Sequence, residues 1–190
     1  MPVVHRHDPP ERFVAGTVGP PGQRTFFLQA RTGARITSVA LEKQQVAVLA
    51  ERIEGLLDEV MRSEGGAGAV PAVTPAGMED NDPLEQPIEE EFRAGTMTLA
   101  WDTAERRIVI EVFAMDESAL DPTTETEPDQ EEDLSENEVL VVTLPPPVAR
   151  AFSQRAQAVV AAGRPPCQFC GNPIDPSGHL CPRANGFRRR

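Results

Sequence analysis

The chain has 190 residues and a formal net charge of −12, with aromatics at 5%, no tyrosine and nineteen prolines. That length suits one domain or two small ones, and few aromatics with abundant proline point to a modest core interrupted by irregular segments. No run of about 18 uncharged apolar residues occurs, which excludes a membrane-spanning helix, and the opening MPVVHRHDPPERF lacks the apolar centre of a signal peptide.

The charge is unevenly placed. Residues 79–91 hold seven acidic and no basic residues, and residues 116–138 hold eleven and none. The remainder carries twelve acidic against eighteen basic residues. Acidic blocks poor in aromatics are expected to stay solvated, and they oppose nucleic acid unless they lie away from the basic face.

At the N-terminus, His5 and His7 with Asp8 and Glu11 offer a second metal or acid–base constellation, because i and i+2 on an extended strand project to one side. The plainer expectation is solvated terminal histidines. Residues 1–62 then read as a first β3α unit. Phe13–Thr17 is the first strand, Gly19-Pro-Pro-Gly22 a turn, Arg24–Ala30 the second strand and Ala34–Leu41 the third. The glycine-rich turn lacks the G-x-x-x-x-G-K-[ST] pattern, and its prolines remove N–H donors that a phosphate cradle needs. A helix follows over about 42–62, with Val46, Leu49, Ile53, Leu56, Leu57 and Val60 on one stripe. Residues 63–88, rich in Gly, Ala, Pro and acids, read as a mobile linker.

Residues 89–163 read as a second β3α unit. Phe92-Arg-Ala-Gly-Thr96 repeats Phe13-Val-Ala-Gly-Thr17, Arg107–Ala114 is the next strand, and Glu138–Leu144 is the third. An acidic insertion expected to be mobile, residues 115–137, separates the last two. Trp101 reads as core or edge packing, and Thr17 and Thr96 as strand or turn residues. A second helix over about 146–162 opens with proline in its first turn and buries Val148, Phe152, Ala156, Val159 and Val160. Gly163 and Pro165-Pro166 end it. The expected fold class is therefore α+β: internally duplicated units, six strands in one antiparallel sheet, both helices on one face.

The tail, residues 164–190, carries the chemistry. In CQFCGNPIDPSGHLC, Cys167, Cys170, His179 and Cys181 present all three cysteines and one histidine as two close-spaced pairs, the usual way to supply a Cys3His zinc site. Three cysteines cannot form a self-contained disulfide framework, so a reducing, cytoplasmic setting is expected. A redox-active C-x-x-C is the competing reading. Four protein ligands close a tetrahedron, whereas a catalytic zinc keeps an open position, so the metal is read as structural. Phe169, Ile174 and Leu180 are too few to fold the segment, whereas ligation supplies about 10–16 kcal/mol in zinc-finger peptides. Arg183, Arg188, Arg189 and Arg190, with Phe187, form a possible basic binding surface for single-stranded nucleic acid. No G-x-S-x-G, H-E-x-x-H or dinucleotide fingerprint occurs.

The runs DPPERFVAGTVGPPGQRTFFLQAR, SVALEKQQV and CPRANGFRRR are similar to those of an actinobacterial family, domain of unknown function 3090, sometimes labelled only a repeat protein. The resemblance covers nearly the whole chain outside the two acidic segments. It implies a Cys-rich C-terminal end, matched here by Cys167, Cys170, His179 and Cys181, and hints at a phosphate-linked setting. Three functions are weighed. The first is a non-catalytic cytoplasmic zinc module that binds a protein partner. The others are a nucleic-acid-associated regulator using the basic tail, and an enzyme or ligand-binding protein of phosphate metabolism.

Overall fold

The computed structural model describes residues 3–63, 70–115, 138–163, 166–172, 174 and 178–183. Seven strands and two helices follow in the order β1 (Val4–His7), β2 (Arg12–Val18), β3 (Thr25–Thr32), β4 (Arg35–Leu41), α1 (Lys43–Ser63), β5 (Glu90–Asp102), β6 (Arg107–Ala114), β7 (Val139–Leu144) and α2 (Pro146–Ala161). The class is α+β, as expected. The strands form one sheet in the order β1-β7-β6-β5-β4-β3-β2. Within it, β2-β3-β4 and β5-β6-β7 are each an antiparallel meander followed by a helix.

Two expectations about the sheet need correction. It has seven strands rather than six, and it is mixed rather than antiparallel, because β4 pairs parallel with β5 and β1 parallel with β7. The first parallel pair follows from α1, a helical crossover that returns the chain to the end of the sheet where β4 began. The second comes from β1, whose sequence Val-His-Arg-His carries no apolar run to announce a strand.

A short connector sets the shape of the sheet. β1 and β2 occupy opposite edges, yet only residues 8–11 separate them. Six strand spacings in a flat sheet span about 29 Å, whereas five residue steps reach at most about 18 Å. The sheet must therefore coil until its edges approach. Glu11 N–H already donates to the Arg31 carbonyl at 2.8 Å. At the end of β1, His7 Nδ1 lies 2.7 Å from Thr32 Oγ1 and Nε2 lies 3.0 Å from Thr37 Oγ1, five and four strand positions away respectively.

The helices cover the sheet face made by Phe13, Ala15, Leu28, Val39, Phe92, Ile108, Ile110, Leu140 and Val142, with Val46, Leu49, Ile53, Leu57, Phe152 and Ala156 in the same cluster. Phe13 stacks on Phe152 with ring centroids 4.5 Å apart. The helix seam itself is polar. Ser153 Oγ donates to the Ala50 carbonyl at 2.8 Å, and Arg150, 2% exposed, donates to Glu54, Asp58 and the Pro71 carbonyl. A guanidinium so buried is tolerated because two carboxylates one turn apart on α1 neutralise it and its donors are used. The end of α2 has no basic residue in its last turn, and Arg24 supplies one from β3's approach by donating to the Ala162 carbonyl at 2.6 Å.

The expected mobile linker is also corrected where it is described. Residues 70–88 strap the other sheet face: Leu84 and Ile88 cover Val14, Phe27 and Ala40, and Val70 joins the main core. A Cβ on Gly16 would lie 2.5 Å from Leu84 Cγ, so the strap seats only on glycine there. Asp80 accepts from Arg12 Nε at 2.6 Å and from Arg155 Nη1 at 2.8 Å. Glu85 accepts from Arg31 Nε at 2.8 Å, and its backbone N–H and carbonyl both bond the buried Gln29 amide. The segment's acids are thus partly neutralised by arginines from β2, β3 and α2. Residues 64–69, and 116–137 of the acidic insertion, lie outside the described residues. Among the described residues no helix is long and apolar enough to cross a membrane.

Two predictions follow from these polar contacts. Burial, then the charges of Arg35 and His5, lower His7 to a pKa of about 4. The unfolded chain therefore binds the extra proton between about pH 6.5 and 4, so this stabilisation is present above that window and lost as pH falls through it. The loss amounts to about 2 kcal/mol between pH 7 and 5. Chemical denaturation of His7→Gln against pH should show that part of the slope removed. The Arg12 hydrogen bond holds the Asp80 carboxyl below its usual range, the effect of burial being outweighed by the charges of Arg12 and Arg155. Asp80→Ala leaves both guanidiniums short of a partner and should lower the unfolding free energy by about 2 kcal/mol, read as a shift in denaturant midpoint.

Candidate metal centre

Ring nitrogens and carboxylates near the N-terminus do not converge. His7, expected to be solvated, is fully buried, and both its ring nitrogens are taken by threonine hydroxyls. His5 shares the inner side, as i and i+2 geometry requires, but its Nε2 faces Glu138 at 3.6 Å and its ring lies 6.1 Å from that of Phe92. Asp8 turns away to Arg107 Nη1 at 3.0 Å. The constellation of His5, His7 and Asp8 is therefore a set of separate structural contacts.

Convergence occurs in the tail. One ligand atom from each of Cys167, Cys170, His179 and Cys181 lies within 4.8 Å of all the others. Cys167 Sγ is 3.7 Å from Cys181 Sγ, and Cys170 Sγ is 3.3 Å from His179 Nε2. A tetrahedron with zinc bond lengths of about 2.3 Å to sulfur and about 2.05 Å to nitrogen places two sulfurs about 3.8 Å apart and sulfur from nitrogen about 3.6 Å. The observed separations fit a single ion bound by all four.

Local backbone explains the convergence. After Pro166 the chain turns tightly: Gly171 N–H donates to the Cys167 carbonyl and Cys167 N–H to the Asn172 carbonyl, both at 2.8 Å. The turn needs Gly171 at φ +75°, a region where an L side chain is strained. Gly178, at φ +87°, makes a second bend just before His179. Phe169 N–H donates to Cys167 Sγ at 3.4 Å. Backbone N–H groups of Cys170 and Phe169 lower the Cys167 thiol to a pKa of about 7. Cys170 is held above its ordinary value: the Asn172 backbone bond lowers it, but burial and the neighbouring thiols of Cys181 and Cys167 outweigh that. Three thiols and an imidazole crowded into one small volume form a donor set that a bound cation would stabilise with all three thiols ionised.

Two of the described side chains between the ligands point outward. Phe169 is 64% exposed and Leu180 is 87% exposed. With Ile174 they are too few apolar residues to fold the segment, and the ligand spacing bears on where they face. When His179 and Cys181 both face one ion, the residue between them must face away, as alternation along extended chain requires. Arg183 Nη1 donates to the Phe169 carbonyl at 3.3 Å, which sets a guanidinium against the backbone of that turn. Arg188, Arg189 and Arg190 lie outside the described residues.

Elsewhere, a cavity of about 300 Å³ opens between the helices and the strap, lined by Glu54, Thr74, Glu79, Arg150, Gln154 and Gln157 among others. Its strongest acid–base candidates, Arg150 and Glu54, are already bonded to each other. The tail is the one place, among the described residues, where three or more possible metal ligands meet.

No curated protein and no solved structure matches the chain. Residues 5–181 match the family described as "Protein of unknown function (DUF3090)", a span that takes in the sheet, both helices and all four clustered ligands. The chain belongs to that family.

Proposed function

We propose that this protein is a non-catalytic interaction or regulatory module, in which a mixed sheet of two β3α halves carries a knuckle folded by one structural zinc ion. The observation that supports it is the meeting of three thiols and an imidazole at tetrahedral separations. Three thiolates and an imidazole use every position of the ion, so water and substrate have no place on it. Zinc fits this donor set because it takes sulfur and nitrogen together, has no redox chemistry and accepts a tetrahedron without strain. The free cysteines support a reducing, cytoplasmic setting.

We read the two halves as one duplicated unit. Phe13–Thr17 and Phe92–Thr96 fall in the first strand of each meander, and the glycine of each lies under a close neighbour. A Cβ on Gly95 would stand 3.0 Å from Met115 Cα, as one on Gly16 would crowd Leu84.

We read the knuckle and the sheet as energetically separable, because among the described residues neither hydrophobic cluster includes one from the tail. Chelation of the zinc-loaded protein, followed by 1H–15N correlation spectra, should collapse the dispersed signals of residues 166–183. Signals from α1, α2 and the strands should stay within their linewidths. Cys170→Ser should do the same without chelator and lower bound zinc from one per chain to well under half. Unfolding of the whole chain on chelation, or unchanged knuckle signals, would contradict the proposal.

A further inference from the structure

We infer that the knuckle's outer surface, built on Phe169, Leu180 and Arg183, binds single-stranded RNA. This rests on the knuckle being folded by its metal, and it supplies the partner that the preceding reading leaves open. Three observations carry it.

The first is which aromatic is outside. Phe13, Phe26, Phe27, Phe92 and Phe152 are buried, whereas Phe169 is 64% exposed. It sits on a rigid turn, held by bonds through its own N–H and carbonyl. A ring carried on a backbone fixed in this way is presented to solvent where a base can stack on its face. The second is the neighbour. Arg183 is anchored to the Phe169 carbonyl, within reach of the phosphate that follows a base stacked on the ring. The third is charge. Residues 164–190 hold five arginines against one aspartate, while the rest of the chain holds thirteen basic against twenty-nine acidic residues. The tail is therefore the one strongly cationic region of an acidic protein. Charge along the sequence favours a polyanion at the tail over the acidic remainder of the chain.

Size decides between RNA and protein. A stable protein interface takes about 800 Å² and 20–30 residues from each side. This knuckle offers two exposed apolar side chains on about fifteen residues. That is too little for a protein partner but enough for one or two bases flanked by phosphates. Single strands are favoured over duplex, because only an unpaired base offers its face to a side chain.

The test titrates the full-length, zinc-loaded protein into a fluorescein-labelled ribouridine 12-mer and follows anisotropy at about 50 and 200 mM salt. Saturable binding is expected, and it should weaken as salt rises, with a log–log slope of about −0.7 for the phosphate contact that Arg183 makes. A 12-base-pair RNA duplex should bind at least about tenfold more weakly. Phe169→Ala should weaken binding about tenfold while keeping one zinc per chain, and Phe169→Trp should restore it. Zinc-loaded protein that does not bind the 12-mer, or a Phe169→Ala variant that binds as well as wild type, overturns the inference and leaves the metal reading standing. Absence of both zinc and binding removes both. Tighter binding to a labelled acidic peptide of glutamate and leucine than to the 12-mer overturns it as well, and assigns the patch to a protein.

Discussion

A chain of four residues between the two edges of a seven-stranded sheet is the constraint on which the rest of this structure depends. It is too short to cross a flat sheet, so the sheet coils, and coiling brings β1 against the ends of β3 and β4. That contact buries a histidine that would otherwise trail in solvent, and it matches the two nitrogens of the neutral ring to two hydroxyls. The same coil makes a concave face into which two helices settle with their apolar stripes together.

Charge is managed by pairing rather than by exclusion. The helix seam holds an arginine at 2% exposure, and the strap across the other face is fixed by Asp80 and Glu85 against arginines from three elements. Such pairs give little net stability when desolvation is counted, but removing one member is costly. Their value here is positional. Arg12 and Arg155 stand on β2 and α2, so Asp80 ties one edge of the sheet to a helix across the start of the second half. The glycine under Leu84 lets the strap lie close enough for those bonds to form.

How much of this was legible in the sequence depended on the kind of signal. α1 and α2 were visible to within about a residue, because Val46, Leu49, Ile53, Leu57 and Val60 repeat at helical spacing and proline and glycine mark the ends of the second helix. Six strands were visible from β-branched and aromatic runs. β1 was not, because its four residues gain strand character only from β7, which is distant in sequence. Nor was the parallel pairing of β4 with β5, which depends on where a crossover returns. Composition was a poor guide to the strap: residues 79–91 look solvated when read alone, and only the fold brings arginines to them. The four metal ligands were legible because they are close in sequence, so no long-range information was needed. Phe169 and Leu180 were visible as too few apolar residues to fold the segment, but their exposure was not, since hydrophobicity alone does not give a direction.

The sheet and the knuckle divide the labour. The sheet and its helices hold a core that, among the described residues, includes none from the tail. The tail brings three thiols and an imidazole together, and in the reading proposed above metal, turn geometry and exposed side chains form one causal chain. The most direct test of that chain is the zinc K-edge X-ray absorption spectrum of the reduced protein purified under anaerobic conditions. The account predicts one zinc per chain with three sulfur neighbours at about 2.3 Å and one nitrogen at about 2.05 Å. A protein without bound metal, or a first shell containing a solvent oxygen in place of one of these donors, would contradict it.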